Sequence, residues 1–142
     1  MKIKQISVFL ENKSGRLSEV TRVLGDHELN IRALSLADTA DFGILRLIIN
    51  EPDKAWRVLK ERGFTVSETE VLAVEVPDDP GGLAGVLELL EGESINIEYT
   101  YAFVGKRQGN ALVVFKLEDT DKAIGTLLKN NIRLLTGEEV YK

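Results

Sequence analysis

Asn12-Lys13-Ser14-Gly15-Arg16-Leu17 stands between a stretch that alternates apolar and polar residues and one that is apolar at helical spacing. Asp78-Asp79-Pro80-Gly81-Gly82-Leu83 stands in the same setting further along the chain. The offset between Gly15 and Gly81 is 66 residues, and it holds for Leu17 and Leu83, Val20 and Val86, Leu24 and Leu90, and Asn30-Ile31 and Asn96-Ile97. It holds again for Gly43 and Gly109, then becomes 68 for Asp53-Lys54-Ala55 and Asp121-Lys122-Ala123. A register kept through both halves is an internal repeat, which outranks any single local motif.

Working outward, Ile6, Val8 and Leu10 alternate with Gln5, Ser7 and Phe9, so residues 3–10 read as a strand. Leu17, Val20, Val23 and Leu24 follow at helical spacing, with Gly25 where a C-cap is expected. Residues 31–37 and 44–49 read as strands around Asp38-Thr39-Ala40-Asp41-Phe42-Gly43, which has hairpin composition. Pro52 and Asp53 suit a helix start, Ala55, Val58 and Leu59 give that helix an apolar face, and Gly63 ends it before a strand that starts at 64–66 and runs nearly into the next. The second half repeats the order. Strands are expected at 72–76, 95–103, 111–117 and 132–135, with helices along Leu83–Leu90 and Ala123–Leu128.

The predicted order β-α-β-β-α-β occurs twice. The expected fold is therefore α+β: two ferredoxin-like βαββαβ repeats, antiparallel sheets with helices on one face, packed side by side. The domain division is expected as 1–68 and 69–142, with no Pro, Gly or Ser linker between.

Composition narrows the function classes. The chain has 142 residues, no cysteine, one histidine and a formal net charge of −5. Disulfides, thiolate chemistry and cysteine metal sites are excluded, and a Ser-His-Asp or zinc centre has too few parts. The acidic balance opposes a nucleic-acid footprint, and no apolar run has the ~18 residues of a membrane span. Residues 1–6 alternate as a strand rather than forming a signal peptide, so a soluble cytoplasmic protein is expected. The phosphate loop G-x-x-x-x-G-K-[ST] is absent, and no arginine-bearing cradle is legible. No enzyme, metal or cofactor is expected.

The pattern of strand, Asn/Asp-x-Pro/Ser-Gly-x-Leu, helix and Asn-Ile resembles the ACT domain, in two tandem copies covering essentially the whole chain. The 38–46 segment resembles stand-alone tandem members of that family. The resemblance implies a non-catalytic regulatory module that binds an amino acid, associates as a homodimer and acts on a metabolic enzyme or as a sensor. It implies ligand contacts at Asn12, Ser14, Gly15, Leu17 and Asn30, and at Asp78, Pro80, Gly81, Leu83 and Asn96. Ser14 departs from the family's proline, which removes a fixed φ from the first loop.

The chemistry of the loop supports the same ligand independently. Helix N-termini offer N–H donors to a carboxylate, and glycine lets the backbone approach closely. Asn12, Asp78, Asn30 and Asn96 carry oxygens that can accept from an ammonium. Plainer readings exist for each: a tight turn at Gly15 and Gly81, Asp79 as an N-cap, Pro80 in a first helical turn, and Asn30 and Asn96 at loop ends. His27 reads as exposed near a helix end, Trp56 as packing, and Lys106-Arg107 as a solvated hairpin tip. Ile3, Phe9 and Val71 fall on the outer sheet face and are apolar enough to need covering. A ligand-independent interaction module is the competing function.

Overall fold

A computed structural model describes residues 1–38 and 41–142. The elements are β1 (Ile3–Glu11), α1 (Arg16–Asp26), β2 (Ile31–Asp38), β3 (Phe42–Ile49), α2 (Pro52–Glu61) and β4 (Thr65–Pro77), followed by α3 (Gly82–Gly92), β5 (Ile97–Arg107), β6 (Asn110–Leu117), α4 (Thr120–Lys129) and α5 (Gly137–Tyr141). Thr39 and Ala40 of the expected hairpin turn lie outside the described residues. The chain forms two compact units, residues 4–69 with 141–142, and residues 1–3 with 70–140.

In the first unit the sheet order is β1-β3-β2, antiparallel throughout, with Val8 opposite Leu45 and Leu34 opposite Leu47. Ile6, Val8 and Leu10 meet Leu45, Leu47 and Ile49 on one sheet face, and Val20, Leu24, Ala55 and Leu59 of the helices complete that core. The second unit has the order β4-β6-β5, with Val74 opposite Val113. Leu72, Val74 and Val76 pack with Phe115, Leu117, Val86, Leu90, Ala123 and Leu127. Both units place their helices on one sheet face, and their strand order is that of a split βαβ repeat. No helix among the described residues is long and apolar enough to cross a membrane.

Four expectations change. Gly25 lies inside α1, whose C-cap is His27. The strands expected at 64–66 and 72–76 are one continuous strand, because no glycine or proline interrupts the chain until Pro77. The strand expected at 132–135 shrinks to a single bridge, Val74 to Leu134. The chain turns away there into α5, through a capping box the sequence does spell. Thr136 N–H donates to Glu139 Oε1 (3.1 Å), and Glu139 N–H donates to Thr136 Oγ1 (3.3 Å). Finally, alternation along β1 misjudges burial, since Gln5 and Ser7 are buried as well as Ile6 and Val8. Their amide and hydroxyl bond each other at 3.1 Å, which lowers the cost of removing them from water. Ile3 and Val71 are buried, whereas Phe9 stays 46% exposed.

All four long helices stop in the same way. The N–H groups of Leu29, Phe64, Ile95 and Ile132 donate to the carbonyls of Leu24, Leu59, Leu90 and Leu127, at 2.9–3.1 Å. The residue before each, Glu28, Gly63, Ser94 or Asn131, has positive φ. This is the Schellman ending, with an apolar residue after the left-handed one. A left-handed conformation costs an L-residue roughly 1–2 kcal/mol, part of which glycine returns as unfolded-state entropy. Ser94→Gly and Glu28→Gly are each expected to stabilise the protein by about 0.5–1 kcal/mol. A rise in the urea midpoint at constant slope is the measurement; a fall would show that the side chain contributes more than the backbone strain costs.

Candidate functional site

The two glycine loops share one geometry. Gly15 precedes α1 at φ 88°, ψ −11°, and Gly81 precedes α3 at φ 85°, ψ −5°. Each glycine is itself the N-cap, its carbonyl accepting from Glu19 N–H or Gly85 N–H at 3.0 Å. Asp79 is therefore not the N-cap, and Pro80 lies ahead of the helix rather than in its first turn. No side chain caps either helix; the first N–H of each, on Arg16 and Gly82, donates to a loop carbonyl, Lys13 at 3.3 Å and Asp79 at 2.9 Å. A left-handed glycine in this position is what turns an extended strand into a helix within a few residues.

Around the first loop, Asn12 N–H donates to Asp41 carbonyl oxygen at 2.9 Å, tying the loop to the start of β3. A cavity of about 90 Å³ adjoins it, lined among others by Asn12, Leu17, Arg16, Leu36 and Gly43. Ser14 and Gly15 are exposed. Leu17 and its counterpart Leu83 are 38% and 41% exposed, although both sit at apolar-periodic positions. Arg16 also lines this cavity, and the sequence reading did not single it out. Its guanidinium donates to Glu11 at 3.2 Å and Glu19 at 3.1 Å, across the mouth of the turn. The signal was present, since the residue directly follows the loop glycine. The adjacent cations also hold the Glu11 carboxyl below its ordinary pKa, the hydrogen bond from Lys13 being the main cause.

The second loop is not a copy of the first in its charges. Lys106 Nζ lies 2.5 Å from Asp78 Oδ2, and both side chains are largely exposed. The hydrogen bond to Asp78 raises the Lys106 pKa. Lys106 is solvated, as expected of a hairpin tip, and is also paired: the carboxylate expected to receive a ligand's ammonium already receives the chain's own. Pro80 and Gly81 are exposed beside it.

Asn30 and Asn96 do not join these loops within a unit. Each lies just past a helix C-terminus, at the start of β2 or β5. Asn30 N–H donates to Asn50 Oδ1 (2.9 Å) and its carbonyl accepts Asn50 N–H (3.2 Å), while Asn96 carbonyl accepts Glu118 N–H (3.1 Å). Residues 31–38 of β2 separate Asn30 from the hairpin end where Asn12 is bound, roughly 23 Å at strand rise. No amino acid spans that distance inside one unit.

The remaining candidates have ordinary settings. His27 Nδ1 lies 2.9 Å from Val23 carbonyl oxygen at the end of α1. Trp56 packs against the first core, with Lys60 Nζ 4.4 Å from the ring centre. Among the described residues no group of His, Asp and Glu is placed to hold a metal ion.

Comparison with known proteins adds the following. Residues 1–142 match the family model described as ACT domain pair. A crystal structure of a protein from Bacteroides thetaiotaomicron is similar at 46% identity and a TM-score of 0.94, covering 100% of this chain and 97% of that one. The ligand-free regulatory subunit of aspartate kinase from Thermus thermophilus shares the fold at 12% identity and a TM-score of 0.63, over 89% of this chain and 90% of that one. Aspartate kinase from Clostridium acetobutylicum shares it at 15% identity and a TM-score of 0.52, over 90% of this chain and 33% of the enzyme. No curated protein matches in sequence.

Proposed function

We propose a ligand-sensing, non-catalytic role from one premise: the chain belongs to the ACT domain pair family, over its whole length. The ligand is an amino acid, and the readout is control of an amino-acid metabolic enzyme in the cytoplasm, or sensing without a fixed target. The observation that carries this reading is the pair of glycine-capped helix starts, each without a side-chain cap on the N–H groups of its first turn and with an Asn or Asp three residues before the glycine. The donors suit a carboxylate and the loop oxygens suit an ammonium. Leu17 or Leu83, exposed at the same corner, suits an apolar ligand side chain.

Because Asn30 lies a strand's length from the loop of its own unit, a ligand that uses both kinds of residue needs an asparagine from outside that unit. A second chain in a homodimer can supply it. The ligand then favours the associated state by its differential affinity, which is all that can shift such an equilibrium. The two loops differ in this scheme. At Asp78 a ligand ammonium must displace Lys106, whereas the side chain of Asn12 is a neutral amide.

A panel of amino acids in a thermal-shift assay tests the reading. Saturation at a hundred times the dissociation constant adds roughly 2.7 kcal/mol of stability. Asn30→Ala, at an exposed side chain with only backbone bonds, is expected to abolish that shift while leaving the unliganded melting temperature in place. A flat panel with normal folding would instead support ligand-independent assembly, the second reading, which exposed Leu34 and Leu36 on β2 favour.

A further inference from the structure

Two guanidiniums of the second unit converge on one carboxylate. Arg107, at the end of β5, places Nη2 3.0 Å from Glu139 Oε2, and Arg133 Nη2 bonds the same oxygen. The other oxygen, Oε1, accepts Thr136 N–H at 3.1 Å and the Thr136 hydroxyl at 3.2 Å. These contacts hold the Glu139 carboxyl below its ordinary pKa, with the Thr136 N–H bond the main cause. Beside them opens a cleft of about 380 Å³ lined by Arg107, Arg133, Glu75, Asn110 and Asn131 among others. Glu75 is 8% exposed. Its Oε1 accepts the Asn110 amide at 3.0 Å, and its Oε2 lies 3.1 Å from Arg133 Nε without completing a hydrogen bond.

The cradle belongs to one copy only. The repeat places Asp41 and Thr65 where the second unit has Arg107 and Arg133. A cleft of about 250 Å³ exists at the same register in the first unit, with Phe9 in place of Glu75 and Phe64 in place of Ile132. No single stretch of sequence spells this arginine cradle, because its members come from a hairpin, a helix exit and a capping box.

We infer that Arg107 and Arg133 form a receptor for a small oxyanion, carboxylate or phosphate, entering this cleft, and that Glu139 is its internal competitor. Guanidinium presents five donors in a fork that matches both anions. The contacts to Glu139 and Glu75 take Nη2 of each arginine and Nε of Arg133, so donors remain on both. Two cations face two carboxylates here. When a guest replaces Glu139, its negative charge takes the place of the displaced carboxylate, and Glu75 keeps Arg133 as its counter-charge and the Asn110 amide as a hydrogen-bond donor. Losing Glu139 also opens the capping box, so guest binding loosens α5. This site adjoins the second glycine loop, since Pro77 also lines the cleft, but the proposed contacts use none of that loop's residues.

The test is calorimetric titration with succinate and, separately, inorganic phosphate, at ionic strength fixed with chloride. Glu139→Gln keeps a capping-box side chain but removes the competing charge, and is expected to bind at least one of the two roughly tenfold more tightly than the natural chain, about 1.4 kcal/mol. Arg107→Gln added to it should erase the gain. Which probe gains identifies the source of the anion. Glu138→Gln removes the same charge one residue away and should gain nothing; an equal gain there would mean general electrostatics and overturn the inference. So would identical affinity in Glu139→Gln and the natural chain. In the natural chain, saturation with the binding anion should raise hydrogen exchange along 137–141, which a passive surface contact would not do.

Discussion

Gly82→Ala should destabilise the protein by about 1–3 kcal/mol, the cost of forcing extra volume into an occupied space. A β-carbon at this position would lie 2.0 Å from the carbonyl oxygen of Pro77 and 3.0 Å from its carbonyl carbon. Those atoms are backbone at the end of β4, so relief requires moving the strand or the start of α3. The residue at the same register in the first copy is Arg16, whose Cβ is accommodated and whose head group bonds Glu11 and Glu19 on the surface. Arg16→Ala loses exposed ion pairs and should change stability by about 1 kcal/mol or less. Urea unfolding of the two variants side by side measures the contrast. Equal effects would mean that the Pro77 carbonyl yields easily and that the two turns are mechanically alike. A substitution often treated as mild is thus expected to be the more damaging one.

Leu24→Ala and Leu90→Ala are expected to cost about 2–5 kcal/mol each, from lost transfer energy plus the cavity left behind. Both leucines are 0% exposed and occupy the same place in the repeat. Leu24 packs with Val8, Leu45 and Leu59 and their neighbours, and Leu90 packs with Val74, Phe115 and Leu127 and theirs. Each also accepts, at its carbonyl, the N–H that closes its helix. That bond survives the change to alanine, so the loss reports side-chain packing. Differential scanning calorimetry of each variant checks it, and a cost under about 1 kcal/mol at either site would show a core able to collapse around the gap.

The same substitution pair marks how far sequence reading reached. The alternation of Ile6, Val8 and Leu10 and the helical spacing of Val20, Val23 and Leu24 identified core positions that the structure buries. Those signals are legible because one strand or one helix carries its whole period. Gln5 and Ser7 broke the rule: both are buried, and each meets its polar need in the other's side chain. Helix endings were half legible. Gly63 announces a left-handed residue by itself, whereas Glu28, Ser94 and Asn131 adopt the same conformation with nothing in their chemistry that requires it.

The sequence by itself determined the repeat, the order of elements, the glycine at each helix start and the absence of thiol chemistry. These follow from periodicity, spacing and residue type, which are local or one-dimensional properties. The tertiary structure decided what the polar side chains meet. Lys106 reaches Asp78, Arg107 and Arg133 share Glu139, and Asn30 lies a strand's length from Asn12. Such pairings join residues that are many positions apart, and short-range charge interactions depend on a few ångströms of placement. A linear pattern carries no such distances; they appear only once the backbone has folded.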